Sequence, residues 1–260
     1  MSSRQRTVEI DIDGITLSGA FFSPGGPGNH PVVIVCHGMP AGPSPPADAP
    51  PDPDDGITYA DFATVCAERG LATLIFNFRG TGASGGNLHA MGWASDLRAI
   101  VEWVSQQPGV RTDRIGTLGS SMGASVALHV AATEPRISSV VSFAAPARMG
   151  ASNDAMAMVQ RMRDMGVIRD SDFPPSAEDW YAEFGELDPL LAIPAISPRR
   201  VVLLQGDADD VVSPEDAGLL FDEAGDPKNL VMLPGVGHRF RREPAAIEAC
   251  LDWLETTLLD

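Results

Sequence analysis

Lysine is almost absent from this chain of 260 residues, which contains a single lysine, Lys228. The 35 acidic residues outnumber the 18 basic ones, and the formal net charge at pH 7 is −17. Such an excess of negative charge repels phosphate backbones and anionic membrane surfaces. We therefore expect neither nucleic acid nor a membrane as a partner.

Cysteines and long apolar segments are also scarce. Cys36, Cys66 and Cys250 lie far apart within apolar runs, without a CxxC pair or a metal-ligand spacing, so we expect buried free thiols. The first residues lack the apolar segment of a signal peptide, and no run approaches 18 apolar residues. We expect a cytoplasmic protein that needs no metal and no organic cofactor.

The apolar pattern predicts an α/β fold in a single domain over residues 1–260. Alternation in period two on both sides of Asp13-Gly14 indicates a β-hairpin. Further along, short β-rich runs such as "PVVIVCHG" alternate with helix-length stretches. This alternation is typical of a mostly parallel central sheet with helices on both faces, whose ligands bind beyond the carboxyl ends of the strands.

Two segments interrupt the alternation. Residues 39–56 include seven prolines between Pro40 and Pro53 and predict a proline-rich loop. Residues 146–197 include two helix-length stretches and five methionines. We expect this insertion to form a small helical lid over the site, with the methionines as an adaptable apolar lining. The alternative is a peripheral addition to the fold.

The stretch "LGSSMGAS" contains the motif G-x-S-x-G at Gly119, Ser121 and Gly123. It follows the strand-like "RIGTL" and precedes a helix, which is the context of a nucleophile elbow. The glycines permit a strained turn that exposes the serine hydroxyl, and the helix N-terminus directs N–H groups toward a developing oxyanion. Ser121 is therefore the predicted catalytic nucleophile.

A serine hydroxyl is a weak nucleophile and needs a base. His238 follows the last predicted strand, at the carboxyl edge of the sheet, and is the preferred base among five histidines. His37 ends an earlier strand and is the main alternative, while His89 lies in a glycine-rich loop. His30 precedes a strand at the wrong end of the sheet, and His129 lies about 12 Å along the helix from the nucleophile.

The base needs an acid that orients it, and the chain order Ser, acid, His places that acid between Ser121 and His238. The strand-like "ISSVVSF" is followed by no nearby carboxylate, whereas "RRVVLLQ" is followed by Asp207, Asp209 and Asp210. The acid is therefore expected in this loop, and the position after a strand does not choose among the three aspartates.

Three stretches resemble motifs of the α/β-hydrolase superfamily, namely "FNFRGTGASGG", "GDADDVVSP" and "GVGHRF". More narrowly, they are similar to its bacterial esterase and serine-aminopeptidase-like branch, which includes dienelactone-hydrolase-like and cinnamoyl-esterase-like enzymes. The resemblance extends from "VVIVCHG" to the last predicted helix. It implies an α/β-hydrolase fold, and it implies that the acid is Asp209, the third residue after Gly206.

The resemblance also implies an oxyanion hole. His37-Gly38 is similar to a loop whose histidine supports the loop and whose residue after the glycine donates a backbone N–H. The implied donors are the N–H groups of Met39 and Met122, because Pro40 has no N–H.

The chain departs from the family pattern at three points. Asn77 stands where aspartate is usual, Gln205 stands where histidine is usual, and the proline-rich segment is longer than normal. A GxGxxG pattern that begins at Gly80 resembles a dinucleotide motif, but the next helix is expected nearer Gly92, so we expect no nucleotide site. The stretch "DADDVV" lacks the glycine that a calcium loop needs.

The other residues of the acid loop are given structural roles. Asp207 is a predicted turn former, and Asp210 is expected to be solvated. Ser213 is the predicted N-cap of the following helix, with Pro214 at its first position and Asp216 as a capping-box-like acid.

The predicted function is a serine hydrolase that cleaves small carboxylic esters through a Ser-His-Asp triad and an acyl-enzyme intermediate. The first alternative is a peptidase or amidase of the serine-aminopeptidase type, which would bind a free α-amino group through a lid carboxylate (Asp154, Glu178, Asp179 or Glu183). An acyltransferase and a non-catalytic binding protein are less favoured alternatives. A homodimer is left open.

Overall fold

The computed structural model describes residues 4–26, 28–40, 56–150 and 154–260, so residues 41–55 of the predicted proline-rich loop lie outside the described part. The chain begins with the predicted hairpin. Strands β1 (Arg4–Ile12) and β2 (Ile15–Ser23) pair in antiparallel register. Asp13 and Gly14 make the turn with φ angles of 50° and 84°, which Asp and Gly tolerate better than most residues.

Eight strands form one sheet in the order β1-β2-β4-β3-β5-β6-β7-β8. The remaining strands are β3 (His30–Cys36), β4 (Ala72–Phe76), β5 (Val110–Ser120), β6 (Ile137–Phe143), β7 (Arg200–Gly206) and β8 (Lys228–Leu233). Strand β2 is antiparallel to both of its neighbours, and every pair from β4 to β8 is parallel. The prediction of a mostly parallel central sheet is confirmed.

Helices cover both faces of this sheet. They are α1 (Tyr59–Glu68), α2 (Ala90–Ser105), α3 (Met122–Thr133), α4 (Ala155–Asp164), α5 (Ala177–Glu186), α6 (Pro189–Ala192), α7 (Pro214–Glu223) and α8 (Pro244–Leu258). Alternate residues of β3 enter different cores: Val32 and Ile34 pack with α2 and α3, and Val33 and Val35 pack with α1 and α8. Because both faces are buried, the strand is apolar from Pro31 to Cys36.

The predicted insertion contains helices α4, α5 and α6 between β6 and β7. Its Val159, Met162, Trp180 and Phe184 are buried in the same core cluster as α2 and α3. The indole N–H of Trp180 donates a hydrogen bond to the carbonyl of Leu88 at 2.8 Å. These contacts fasten the insertion to the core, and a role as a lid stays a prediction.

The three cysteines are free and buried, as predicted. Burial raises the pKa of the Cys66 thiol to about 12, so this thiol stays protonated at neutral pH. None of the described helices is long and apolar enough to cross a membrane.

Candidate active site

Ser121 occupies the sharp turn between β5 and α3. Its backbone has φ 53° and ψ −125°, a region that residues with a Cβ rarely adopt and that costs on the order of 1–3 kcal/mol. The turn is held by its N–H, which donates to Phe143 O at 2.9 Å, and by its carbonyl, which accepts from Ala124 N at 2.8 Å. The geometry is that of the turn predicted from the G-x-S-x-G motif.

The two glycines of the motif allow the backbone to pass close to its neighbours. A Cβ at Gly119 would lie 2.4 Å from Ala124 Cα, and a Cβ at Gly123 would lie 2.2 Å from Cys36 O. The first approach brings α3 onto β5, and the second brings the start of α3 onto the end of β3. Both close approaches require glycine.

Asp209 lies beyond the carboxyl end of β7 and is 8% exposed. Its Oδ1 accepts hydrogen bonds from the backbone N–H groups of Val211 and Val212, each at 2.9 Å. Its Oδ2 accepts a hydrogen bond from Nε2 of Gln205 at 3.1 Å. Burial alone would raise the pKa of this carboxyl, but the hydrogen bonds from Val212, His238 and Val211 outweigh burial and lower it. Asp209 is therefore ionised at neutral pH.

His238 lies in the loop after β8 and meets this carboxylate. Its Nδ1 is 2.9 Å from Asp209 Oδ2, and because an ionised carboxylate can only accept, Nδ1 carries the proton and donates it. The loop is held by the N–H of Gly237, which donates to Glu243 Oε1 at 2.9 Å. The other ring nitrogen, Nε2, is then unprotonated in the neutral ring and can act as a base.

Ser121 and His238 line one cavity, but the hydrogen bonds among the described residues do not include one between their side chains. Catalytic hydrogen bonds are often long before substrate binds and shorten in the complex. The structure thus joins the predicted base to the predicted acid directly and brings the predicted nucleophile to the same cavity.

The other predicted roles in the acid loop have mixed outcomes. Asp207 is exposed and accepts the N–H of Gly235 at 2.6 Å, and Asp210 is exposed. The capping-box prediction is wrong. Ser213 does precede α7, but its hydroxyl donates to Glu215, and the side chain of Asp216 accepts the N–H of Ala147 instead of returning to the helix start. The tertiary contact with Ala147 competes successfully for this carboxylate.

The loop after β3 lies against the nucleophile turn. A Cβ at Gly38 would lie 3.0 Å from Ser120 O and 3.2 Å from Ser121 Cβ. Among the described residues, no acceptor receives the N–H of Met39 or the N–H of Met122. Two backbone donors next to the serine are therefore available to a bound oxyanion.

His37, the alternative base, is part of the framework that holds this loop. The N–H of Phe78 donates to its Nε2 at 3.3 Å, so Nδ1 carries the proton and donates to Gly38 O at 2.8 Å. The ring packs edge-on against Phe78 and Trp93, with centroids 5.3 and 5.4 Å away. Burial lowers the pKa of His37, although the bond to Gly38 opposes this, so the ring stays neutral.

The glycine-rich loop after β4 also has a packing role. A Cβ at Gly82 would lie 2.2 Å from Nδ2 of Asn77, and a Cβ at Gly80 would lie 2.4 Å from the backbone N of Leu88. Helix α2 begins at Ala90, several residues after the last glycine of the pattern. The glycines thus permit close backbone packing in this loop, and Asn77 fills the space that Gly82 leaves.

A cavity of about 680 Å³ opens beside Ser121. Its lining comes from β2, the end of β4, the start of α1, the loops after β3 and β4, the nucleophile turn and the segment from His238 to Arg242. No described residue of the insertion 146–197 takes part. Glu183 is one of the carboxylates that were considered for binding an amine. Its side chain accepts hydrogen bonds from His89 Nδ1 at 3.0 Å and from the backbone N–H of Met91 at 3.1 Å, away from the cavity lining.

Sequence reasoning missed the wall of this cavity. Tyr59 and the arginines Arg239, Arg241 and Arg242 line it. The run "RFRRE" directly after His238 was the available signal, because residues close to the predicted base in the chain also lie close to it in space.

The sheet, the strained serine turn and the His–Asp pair beyond neighbouring strands place the chain in the α/β-hydrolase superfamily. The α/β hydrolase GrgF from Penicillium sp. sh18 superposes with a TM-score of 0.76 at 21% identity, covering 99% of this chain and 100% of that one. The esterase Pf2001 from Pyrococcus furiosus superposes with a TM-score of 0.67 at 21% identity, covering 98% and 93%. These likenesses establish the α/β-hydrolase fold.

The family is shown by sequence. The model of the X-Pro dipeptidyl-peptidase (S15) family matches residues 13–189, and the chain belongs to this family. The uncharacterized protein Rv2307c of Mycobacterium tuberculosis is 30% identical over 228 residues, which cover 87% of this chain and 69% of that protein. The chain is therefore a hydrolase of the α/β-hydrolase type, with esterases and peptidases among its relatives.

Proposed function

We propose that the protein is a serine hydrolase that cleaves carboxylic esters, with Ser121 as nucleophile, His238 as base and Asp209 as the acid that orients the base. The observation that carries the proposal is the juxtaposition of a strained serine and a carboxylate-bound histidine on one cavity. The backbone N–H groups of Met39 and Met122 adjoin the serine and have no protein acceptor among the described residues. They can bind the oxyanion that forms during acyl transfer.

In the proposed reaction, Ser121 Oγ attacks the ester carbonyl carbon while Nε2 of His238 takes the hydroxyl proton. Asp209 holds Nδ1–H and stabilises the imidazolium that forms. The N–H groups of Met39 and Met122 bind the oxyanion, each worth about 3–4 kcal/mol in such sites. When the intermediate collapses, the C–O bond to the alcohol breaks and His238 returns its proton to the leaving oxygen. A water molecule, activated by the same base, then hydrolyses the acyl-enzyme and releases the acid.

The lining of the cavity favours an ester over a free N-terminal amine. A site for an α-ammonium group needs a carboxylate near the nucleophile, and none of the described residues that line the cavity is aspartate or glutamate. The family description points to peptidases, so aminoacyl and X-Pro substrates remain the second candidate class.

Fluorophosphonate labelling tests the nucleophile. We expect the wild type to be labelled once, at Ser121 in the mapped peptide, and to hydrolyse p-nitrophenyl butyrate, and we expect Ser121→Ala to lose both properties. Ser120→Ala is the matched control, because it removes the neighbouring hydroxyl and is expected to keep labelling. Labelling at another residue, or none in the wild type, would overturn the serine-hydrolase proposal.

Substrate class needs a separate comparison. We expect kcat/KM for p-nitrophenyl butyrate to exceed that for Ala-p-nitroanilide and Gly-Pro-p-nitroanilide at the same pH. Faster turnover of either anilide would replace the esterase proposal with the peptidase one while leaving the triad in place.

A further inference from the structure

The cavity beside Ser121 is cationic, in contrast to the rest of the chain. The protein contains 35 acidic and 18 basic residues, yet Arg239, Arg241 and Arg242 line the cavity and no described lining residue is acidic. Charge of one sign in a concave wall concentrates ligands of the opposite sign. The local charge therefore points to an anionic ligand in a protein whose net charge would repel one.

The position of the arginines is fixed by a buried neighbour. Phe240 is 2% exposed and packs edge-on against Phe62 and Phe143, with centroids 5.7 and 5.5 Å away. A 3-10 turn over Phe240–Arg242 follows, in which Arg242 N–H donates to Arg239 O at 2.8 Å. Arg241 and Arg242 thus belong to a packed turn that begins two residues after His238, and Arg239 directly precedes this turn.

Carboxylates of the described protein do not neutralise Arg239 and Arg241. Arg239 is exposed, and its side chain makes no hydrogen bond or ion pair with a described residue. The guanidinium of Arg241 donates to the neutral carbonyl of Ile57 at 3.0 Å and lies over the ring of Tyr59. Glu243, the carboxylate nearest in the chain, is engaged by the N–H of Gly237.

Tyr59 adds a neutral donor to the same wall. Burial raises the pKa of its phenol to about 12, with Arg241 opposing and Cys36 adding to the rise, so the hydroxyl keeps its proton at neutral pH. A protonated phenol beside the Arg241 guanidinium can donate a hydrogen bond to a carboxylate, and charge-assisted bonds of this kind are about twice as strong as neutral ones.

We propose that the substrate is an ester that carries a carboxylate, which Arg239 and Arg241 bind while Ser121 attacks the ester carbonyl. This proposal rests on the ester hydrolase function proposed above. The arginines, Tyr59, the serine and the catalytic histidine line one cavity of about 680 Å³, which has room for a small charged ester. The same arginine charges would repel a free ammonium group from the cavity.

Two matched pairs of esters test the charge preference. Methyl hydrogen adipate and methyl hexanoate differ by a carboxylate on the acyl side, and 4-acetoxybenzoate and its methyl ester differ by one on the alcohol side. For each pair, the ratio of kcat/KM for the charged ester to that for the neutral ester is measured in wild type and variants. We expect Arg239→Gln to lower this ratio about tenfold in at least one pair, as loss of a charged hydrogen-bond partner does.

The matched control is Arg161→Gln, which removes one exposed arginine on α4 outside the cavity and changes the net charge equally. It is expected to leave both ratios within about twofold of wild type, as a distant exposed charge does. Arg241→Lys should retain more of the ratio than Arg241→Gln because lysine keeps the charge. Equal ratios in wild type, Arg239→Gln and Arg161→Gln would overturn the anion site and leave the esterase proposal standing.

A binding arm separates the two proposals. Ser121→Ala cannot form the acyl-enzyme, so calorimetric titration with 4-acetoxybenzoate reports binding alone. We expect Arg239→Gln in this background to weaken binding about tenfold. If no ester were hydrolysed, binding that depends on Arg239 would still support the anion site while counting against the esterase. Binding that is absent, or unchanged by Arg239→Gln, would overturn the anion site.

Discussion

Three aspartates share the loop after β7, and their surroundings separate them. Asp209 is buried, accepts four hydrogen bonds that include one from His238, and has a lowered pKa. Asp207 accepts one backbone N–H at the surface, and Asp210 is exposed. Charge at Asp209 is therefore stabilised by directed donors, whereas charge at the other two is stabilised mainly by water.

At this scale, Asp209→Asn is the decisive change. The amide can offer its NH₂ group to His238, which would favour the wrong ring tautomer, so we expect kcat for p-nitrophenyl butyrate to fall by about 10³- to 10⁴-fold. Asp207→Asn and Asp210→Asn are the matched controls and should keep kcat within about threefold, because distant surface charges are screened. If Asp207→Asn abolished activity while Asp209→Asn stayed active, the catalytic acid would be Asp207 instead of Asp209.

At the scale of elements, one chain of hydrogen-bonded side chains joins the core to the insertion. Arg79, after β4, donates to Asp96 of α2 at 2.7 and 2.9 Å, and its other guanidinium nitrogen meets Nε2 of His89 at 3.1 Å. His89 in turn meets Glu183 of α5 at 3.0 Å. Asp96 is fully buried, and burial raises its pKa although the Arg79 bonds oppose the rise.

Removal of the arginine should therefore cost more than the loss of one surface pair. Arg79→Met leaves Asp96 buried without its counter-ion, and we expect the free energy of unfolding in urea to fall by about 3–5 kcal/mol. Arg79→Met/Asp96→Asn should recover much of this loss, since it removes the buried charge and keeps an acceptor for the backbone. Arg111→Met, which breaks the exposed pair with Asp113, should cost less than about 1 kcal/mol. Equal losses in the two single variants would refute this account.

At the scale of the molecule, paired carboxylates determine how stability responds to acid. Hydrogen bonds lower the pKa of Glu134, chiefly through Arg136, and burial opposes this change; the pKa of Asp209 is also lowered against the effect of its burial. A carboxyl whose folded pKa is lowered binds fewer protons than in the unfolded chain. Its contribution to stability is therefore complete above the unfolded value, about 4, and is lost as pH falls through the folded value.

We accordingly expect the thermal midpoint to change little between pH 7 and pH 5 and to fall steeply below about pH 4. Thermal unfolding followed by circular dichroism at fixed ionic strength measures this profile. Asp209→Asn removes one of the responsible carboxyls, so its midpoint should fall less between pH 5 and pH 3 than that of the wild type. An unchanged midpoint of the wild type down to pH 3 would contradict the linkage.

Local sequence rules were sufficient for the nucleophile turn and the strands. The two glycines of the G-x-S-x-G motif let the nucleophile turn pack closely against its neighbours, since a side chain at Gly119 or Gly123 would overlap neighbouring backbone. The apolar run of β3 reflects burial on both faces, which any parallel sheet imposes. The resemblance to a known family added the choice of Asp209. In the structure Asp209 contacts His238, and its role as the catalytic acid stays a prediction.

The absence of a capping box at Ser213 and the actual partner of Asp216 could not be predicted, because a distant backbone N–H at Ala147 competes for that carboxylate. The same holds for the cavity, whose walls come from segments far apart in the chain.

By itself, the sequence determined the α/β architecture, the hairpin at Asp13-Gly14 and the position of the serine, because each depends on neighbours within a few residues. Only the tertiary structure decided that His37 is held neutral within the framework, that the insertion 146–197 contributes no described residue to the cavity, and that arginines line it. The physical reason is that charge and burial at a site are sums over segments brought together by the sheet, and no window of sequence contains them all.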